Sequence, residues 1–424
     1  MAFTTVTGSN GVTSLVGTSG IDVATIVTLT SNVFVGAQGA DDTINQNSAG
    51  PTFAASNWTV NGGSGNDTVT FVDVVLNSII NGDGGTGTAG NDLININSVS
   101  GAIGSSISGG SGNDVIGTTG GGSAAFSGST VNGNAGDDTI RVGASSASYI
   151  YGGQDVDTIT TAGAITTTLI NGNKGSDTLT LGAFSFENGS VYGGNGTDTI
   201  TAAAVTAAGG GAISATAAGV FISGDLGNDN ITGSGAVDTI QGGDGADTVA
   251  GGAGGDTIST GADNDLITGG AGADTISGGA GNNTFGDYSV AVATVAAGAN
   301  TGFDSITDFV ANTTLTGGLP TNGSVIDIGV AATGLTVAAS VASDTGADLA
   351  TILTTNFGGM AASTGAVGII TITAGASNAG IAGNYLVVNN GGTAGWTAGA
   401  DNVIKLNTLS NITAANLANV IGNF

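Results

Sequence analysis

Apolar positions in this chain follow two rhythms. Between Gly224 and Gly286 one large apolar residue returns every nine positions, as Ile231, Ile240, Val249, Ile258, Ile267, Ile276 and Phe285. Each is preceded two residues earlier by an acidic or amide side chain, and Gly-rich polar sequence fills the remainder. Six residues of turn followed by three of extended chain make a half-coil, and two half-coils make one turn of a parallel β-roll. From Asp287 this rhythm stops and ordinary alternation takes over. GIITIT (Gly368–Thr373), NYLVVN (Asn384–Asn389) and NVIKLN (Asn402–Asn407) read as strands. Ala347–Thr355 has helical spacing behind Ser343 and Asp344 as caps, and Thr413–Phe424 reads as a short helix.

The nonapeptides of 224–286 are GDLGNDNIT, GSGAVDTIQ, GGDGADTVA, GGAGGDTIS, TGADNDLIT, GGAGADTIS and GGAGNNTFG, a consensus of G-G-x-G-x-D-x-U-x with U large and apolar. Single copies recur upstream. They start at Gly62, Gly87, Gly109, Gly133, Gly152, Gly172 and Gly193, with weaker ones at Gly17 and near Gly36. Upstream spacing is wider than two nonapeptides, so each coil there has one such edge. The opposite edge is apolar and Ser/Thr-rich, as in SYIYGG at Ser148 or TTLINGN at Thr168. The expected fold is all-β: a parallel β-solenoid or β-roll with a nonapeptide ladder, closed by a compact β-rich C-terminal capping domain. Expected divisions are an N-terminal solenoid start at 1–61, an irregular one-sided solenoid at 62–223, a regular two-sided roll at 224–286, and a β-rich capping domain at 287–424.

Composition narrows the chemistry. The chain has 81 Gly but only two Pro in 424 residues, without a collagen-type period, and 40% of its residues are apolar. It therefore reads as a folded chain rather than a disordered polyanion. Three cations, Arg141, Lys174 and Lys405, face 31 acids, for a net charge of −28. Nucleic-acid binding is excluded, because phosphates would go unneutralised, and contact with anionic membranes is disfavoured. No apolar run is long enough to span a bilayer. Without His or Cys there is no zinc site, His-based acid–base chemistry, thiol nucleophile or disulfide. The start of the chain shows no basic segment followed by an apolar one, so no Sec-type signal is expected.

Thirty of the 31 acids are Asp, and Glu187 is the exception. Calcium takes six to eight oxygens from carboxylates and carbonyls at about 2.3–2.6 Å. Gly turns leave carbonyls unobstructed, and only a short carboxylate at position six fits between coils. The candidate ligands are Asp67, Asp92, Asp114, Asp138, Asp157, Asp177 and Asp198 upstream, with Asp22 and Asp42 in less regular copies. In the roll, Asp229, Asp247 and Asp265 stand on one edge, and Asp238, Asp256 and Asp274 on the other. One copy alone is no more than an Asx turn; seven in register carry the calcium reading. Copies lacking a Gly, such as that of Gly152 with Asp155 at position four, are expected to leave some sites empty or water-filled. Asn-rich turns alternatively carry neutral Asn stacks without metal. Asn283, in the final copy, removes a charge at the ladder's end. Counting the gaps between motifs gives at most about fourteen divalent ions, whose charge would offset the −28. GDGGTG at Gly82 matches a nucleotide-binding fingerprint, but no helix follows it. The carboxylate pairs Asp155/Asp157 and Asp263/Asp265 read as ligands or turn residues.

The repeat resembles the calcium-binding nonapeptide of RTX proteins over roughly 17–286. GFDSITDFVA (Gly302–Ala311) with SVIDIGVA (Ser324–Ala331) is similar to the capping segment that follows RTX rolls. It has a longer insert, and Ile328 stands where Leu is usual. Asn384–Asn407 resembles the C-terminal element of many secreted RTX proteins. The resemblance implies ions held between coils, with Gly243, Gly245 and Asp247 facing Thr260, Ala262 and Asp265. It implies export by a type I system with an uncleaved C-terminal signal, and folding outside the cell. The repeats begin too early to leave room for a protease or lipase domain, so no enzyme is expected. The chain resembles RTX surface-layer proteins: an extracellular Ca2+-binding subunit that self-assembles into a homo-oligomeric lattice or filament. The alternative is an adhesin or matrix protein binding cell-surface polysaccharide. Trp396 and Tyr385 are its candidate contacts, although the packed core of the end domain is the favoured reading of both.

Overall fold

A computed structural model describes residues 4–286 apart from 8–12, 27–30, 47–53, 85–89, 98–100, 118–123 and 206–217. Beyond 286 it describes 304–308, 314–316, 319–322, 325–327, 334–337, 341–342, 366–373, 383–389, 402–406 and 421–422. The protein is all-β: among the described residues every regular element is a strand. Two compact units are formed, 1–212 with 223–226, and 213–222 with 227–424.

The first unit is a parallel solenoid. A Thr-U-Thr strand is too short to persist alone, so each pairs in parallel with the equivalent strand of the next coil. One inward row runs Ala24, Ile44, Val69, Ile94, Ile116, Ile140, Ile159, Leu179 and Ile200, each registered on the next. A facing row runs Val35, Val60, Ile80, Ile107, Val131, Ile150, Ile170 and Val191. These side chains are almost wholly buried, and the wider upstream coils add Trp58, Phe71, Val75, Ile96, Phe126, Ile165, Leu181 and Phe186 to the core.

The edge away from the nonapeptides turns on a second device. Asn57, Asn77, Gly104, Gly128, Ala147 and Thr167 all take left-handed backbone, with φ of 48° to 61°. After most of them comes a buried Ser or Thr whose side-chain oxygen takes the place of a backbone partner. Ser78 N–H donates to Ser105 Oγ at 3.1 Å, Ser105 N–H to Ser129 Oγ at 3.1 Å, and Ser129 N–H to Ser148 Oγ at 3.2 Å. Each hydroxyl donates to the carbonyl two residues back. The Ser/Thr-rich edge is therefore a neutral hydroxyl ladder.

In the second unit the roll's inward rows run Ile231, Val249, Ile267 and Phe285, and Ile240, Ile258 and Ile276. The chain beyond the repeats adds to these rows. Ile306 pairs with Ile276 and then with Leu406, while Phe285 pairs with Ile326 and that with Ile421. The three expected C-terminal strands are present as Ala366–Thr373, Gly383–Asn389 and Asn402–Leu406, joined antiparallel. The helix expected at 347–355 lies outside the described residues. Of the one expected at 413–424 only 421–422 are described, and they are strand.

Candidate metal centre

Every regular nonapeptide repeats one backbone. Positions two and four have positive φ, as at Gly63 (121°), Gly65 (116°), Gly243 (125°) and Gly245 (130°). Where Gly is missing, Asn or Asp stands in: Asn134, Asn173 and Asp225 at position two, and Asp155 (72°) and Asp263 (76°) at position four. These residue types visit left-handed backbone at the lowest cost after Gly. The turn at Gly152, whose Asp155 put it in doubt, is therefore the same turn as its neighbours.

That turn presents Asp at position six to the next coil. In the first unit the N–H of Asp67 donates to Asp92 Oδ1, Asp92 to Asp114, Asp114 to Asp138, Asp138 to Asp157, Asp157 to Asp177 and Asp177 to Asp198, all at 2.7–2.8 Å. Asp22 and Asp42 begin this run. In the second unit one edge runs Asp229, Asp247, Asp265 and Asn283, and the other Asp238, Asp256, Asp274 and Asp304, at 2.8–3.0 Å. Each N–H···Oδ1 bond uses one carboxylate oxygen.

The other oxygen is what matters for a cation. Oδ2 of Asp42, Asp67, Asp92, Asp114, Asp138, Asp157, Asp177, Asp247, Asp256, Asp265, Asp274 and Asp304 is buried with no hydrogen-bond partner. For Asp67, Asp92, Asp114, Asp138, Asp157, Asp177, Asp247 and Asp256 it lies against a Gly earlier in the chain, beside a carbonyl from the next coil. A Cβ on Gly133 would stand 2.1 Å from Asp138 Oδ2 and 2.5 Å from Gly152 O. On Gly242 it would stand 2.3 Å from Asp247 Oδ2 and 2.6 Å from Thr260 O. Two acceptors converging without a donor repel, and a buried anion so placed calls for a cation or a proton. Asn283 shows the neutral solution: its Nδ2 donates to Gly278 O at 2.7 Å.

Electrostatics agree. Burial, with further contributions from neighbouring carboxylates, pushes Asp67, Asp138, Asp247 and Asp256 up to about 7, and Asp114, Asp157 and Asp304 up to about 8. Asp92 and Asp177 rise to about 6. Among the described residues no three acidic side chains gather about one point. What a regular gap offers a cation is a buried carboxylate oxygen together with a carbonyl of the next coil. This all-oxygen set fits calcium.

Two expected ligands stand apart. Asp22 Oδ2 accepts from Thr18 N–H at 2.5 Å and Thr18 Oγ1 at 2.9 Å, bonds that hold its pKa below the usual carboxylate range. Asp238 accepts from Ser234 N–H at 2.6 Å, Ser234 Oγ at 2.9 Å and Val220 N–H at 2.6 Å. A hydroxyl residue at position two thus closes the carboxylate locally. Of the residues expected to face one another, Thr260 does bring its carbonyl to the Asp247 carboxylate. Gly243 and Gly245 shape the turn, and Ala262 pairs with Asp244.

Two features escaped the sequence reading, and the Asn stacks it offered as an alternative are also present. Asp304 is fully buried and continues the ladder from Asp274 across 30 residues, and its Asp-Ser-Ile matches the repeat's D-x-U. Gly82 packs against Asp92 as Gly62 packs against Asp67, but ten residues ahead of its Asp instead of five. Gly82, the first residue of GDGGTG, therefore belongs to the ladder. A second ladder runs along position five in the opposite sense: Asn91 N–H donates to Asn66 Oδ1 at 2.7 Å and Asn113 N–H to Asn91 Oδ1 at 2.8 Å. Neutral Asn stacks are thus present beside the Asp ladder.

The model of one family, the RTX calcium-binding nonapeptide repeat, matches the chain in four copies, at 59–70, 223–258 and 251–285. No curated protein matches the sequence. Such repeats bind calcium and are typical of secreted, extracellular proteins.

Proposed function

For a chain that is an RTX β-roll protein, we propose an exported structural role: it folds on extracellular calcium and assembles with copies of itself into a surface layer or filament. The observation that carries this is the run of buried carboxylate oxygens left without a donor, eight of them beside a carbonyl of the next coil. With a net charge of −28, the metal-free chain repels itself, and each bound ion removes two charges from that total. As the loaded form approaches neutrality, lateral association becomes favourable.

The proposed ligands are the Asp residues of regular copies, Asp67 through Asp198, Asp247, Asp256, Asp265 and Asp274, with Asp304 added. About fourteen ions is the upper bound that motif counting allows. The β-roll is a fold of structural and toxin-type proteins rather than of a recognised enzyme family, and a scaffold role without catalysis is the reading we adopt. Release by a type I system with an uncleaved C-terminal signal, and residence at the cell surface, belong to the same proposal. Among the described residues no helix is long and apolar enough to cross a membrane. Electron microscopy of the purified chain tests assembly: ordered particles in millimolar calcium that disperse with chelator are expected. Monomers under both conditions contradict it.

A further inference from the structure

One face of the first unit gathers tyrosines and runs along strands that end in the nonapeptide turns of Gly152, Gly172 and Gly193. Along the strands Tyr149–Gln154, Leu169–Lys174 and Ser190–Asn195, alternate residues point outward. Their inward partners Ile150, Ile170 and Val191 are fully buried. The outward residues include Tyr149, Tyr151, Asn171, Asn173 and Tyr192. Register sets Tyr151 beside Asn171, and Asn171 beside Tyr192. The rings of Tyr149 and Tyr151 stack with centroids 6.3 Å apart and planes 9° from parallel, and Tyr149 is 51% exposed. Three of the chain's five tyrosines share this face. Where the same strands end, an open groove of about 400 Å³ is lined by Gln154, Asn171, Asn173, Lys174, Asn195 and Asp225.

We propose that this face binds an extended neutral polysaccharide, whose ring faces lie on the tyrosines and whose hydroxyls enter the groove. A pyranose has an apolar C–H face rimmed by hydroxyls, each both donor and acceptor. Tyrosine offers the matching flat surface at little entropic cost, and side-chain amides offer both a donor and an acceptor. Two groove residues are held in place beforehand. Asn171 Oδ1 accepts from Asn173 N–H at 2.8 Å, and Asp225 Oδ1 from Ser223 Oγ at 2.6 Å. A net charge of −28 opposes polyanions, and the groove's single cation, Lys174, shares its lining with Asp225. Parallel strands about 4.8 Å apart repeat at close to the length of one sugar unit, so successive units meet successive coils. This proposal does not rest on assembly and requires only the folded chain.

Calorimetry of the full chain in calcium, against cellohexaose, laminarihexaose and chitohexaose, with polygalacturonate and a single-stranded DNA 20-mer as controls, tests it. Saturable binding of at least one neutral hexasaccharide and none of either polyanion is expected. Tyr151→Ala and Asn171→Ala should each weaken binding about tenfold. Tyr151→Phe should retain it, and circular dichroism should be unchanged in all. If Tyr151→Ala disturbs folding, Tyr149→Ala at the exposed position repeats the measurement. A folded protein that binds none of the three, binds polyanions instead, or binds unchanged in the alanine variants overturns the proposal. Chelator-induced dispersal of assemblies is read separately, so loss of one idea leaves the other standing.

Discussion

The backbone N–H of Asp114 donates to Oδ1 of Asp138 at 2.7 Å, although 24 residues separate them. Asp138 in turn donates to Asp157 at 2.8 Å, and its Oδ2 is left against Gly133 and the carbonyl of Gly152. This rung thus carries one satisfied and one unsatisfied oxygen, and the unsatisfied one faces the gap between coils.

Filling that gap should break a rung. In Gly133→Ala the new Cβ would stand 2.1 Å from Asp138 Oδ2, so carboxylate or coil must shift. A cost of about 1–3 kcal/mol and a calcium midpoint raised roughly tenfold are expected. Ala135→Ser, at the third position of the same turn, should leave both unchanged. Calcium-dependent circular dichroism with thermal melts checks the pair.

Rungs closed by a hydroxyl should behave differently from open ones. Asp256→Asn removes a carboxylate whose Oδ2 lacks a partner and should lower the calcium stoichiometry measured by equilibrium dialysis. Asp238→Asn replaces one carboxylate oxygen by an amide NH2, so Ser234 N–H loses its acceptor at Oδ2 while Oδ1 still accepts from Ser234 Oγ and Val220 N–H. It should cost roughly 1–3 kcal/mol of stability while leaving the stoichiometry unaltered.

The hydroxyl ladder predicts a purely structural variant. Ser105→Ala deletes the acceptor of Ser78 N–H and the donor to Ile103 O, both at 3.1 Å. About 1–3 kcal/mol should be lost from the first unit, with calcium binding preserved. A lower melting midpoint at unchanged dialysis counts is the signature.

Acidity should substitute for calcium in part. Burial raises Asp67, Asp114 and Asp157 from the ordinary 3.8 to about 7 to 8. A group raised on folding stabilises the fold fully below its unfolded value, and that contribution fades as pH climbs through the folded value. Metal-free protein should therefore be more structured near pH 4–5 than at pH 8, losing ellipticity between about pH 6 and 8. Protons and calcium compete for the same oxygens, so the calcium midpoint should fall over that interval.

How much was legible follows from where the period holds. Asp67 to Asp198 and Asp229 to Asp274 stood out because position six keeps its distance from the U residue. Asp304 kept its D-x-U spacing but sits 30 residues beyond Asp274, outside any window tuned to nine. The hydroxyl ladder was visible only as Ser/Thr enrichment, since its left-handed corner accepts Asn, Gly, Ala or Thr and leaves no constant letter. Thr18 and Ser234 read as ordinary turn residues; only side-chain geometry shows that they close Asp22 and Asp238. Tyr385, a candidate contact on sequence, is fully buried, with burial pushing its hydroxyl up to about 12. Trp396 lies outside the described residues.

The most direct test is a calcium titration of metal-free protein at pH 7.5, followed by far-ultraviolet circular dichroism and dialysis counts. A cooperative transition from largely unfolded chain to β-structure, with several ions taken up per chain, is the expected result. The same β-spectrum and the same melting midpoint in chelator as in calcium would contradict a fold completed by the metal ladder.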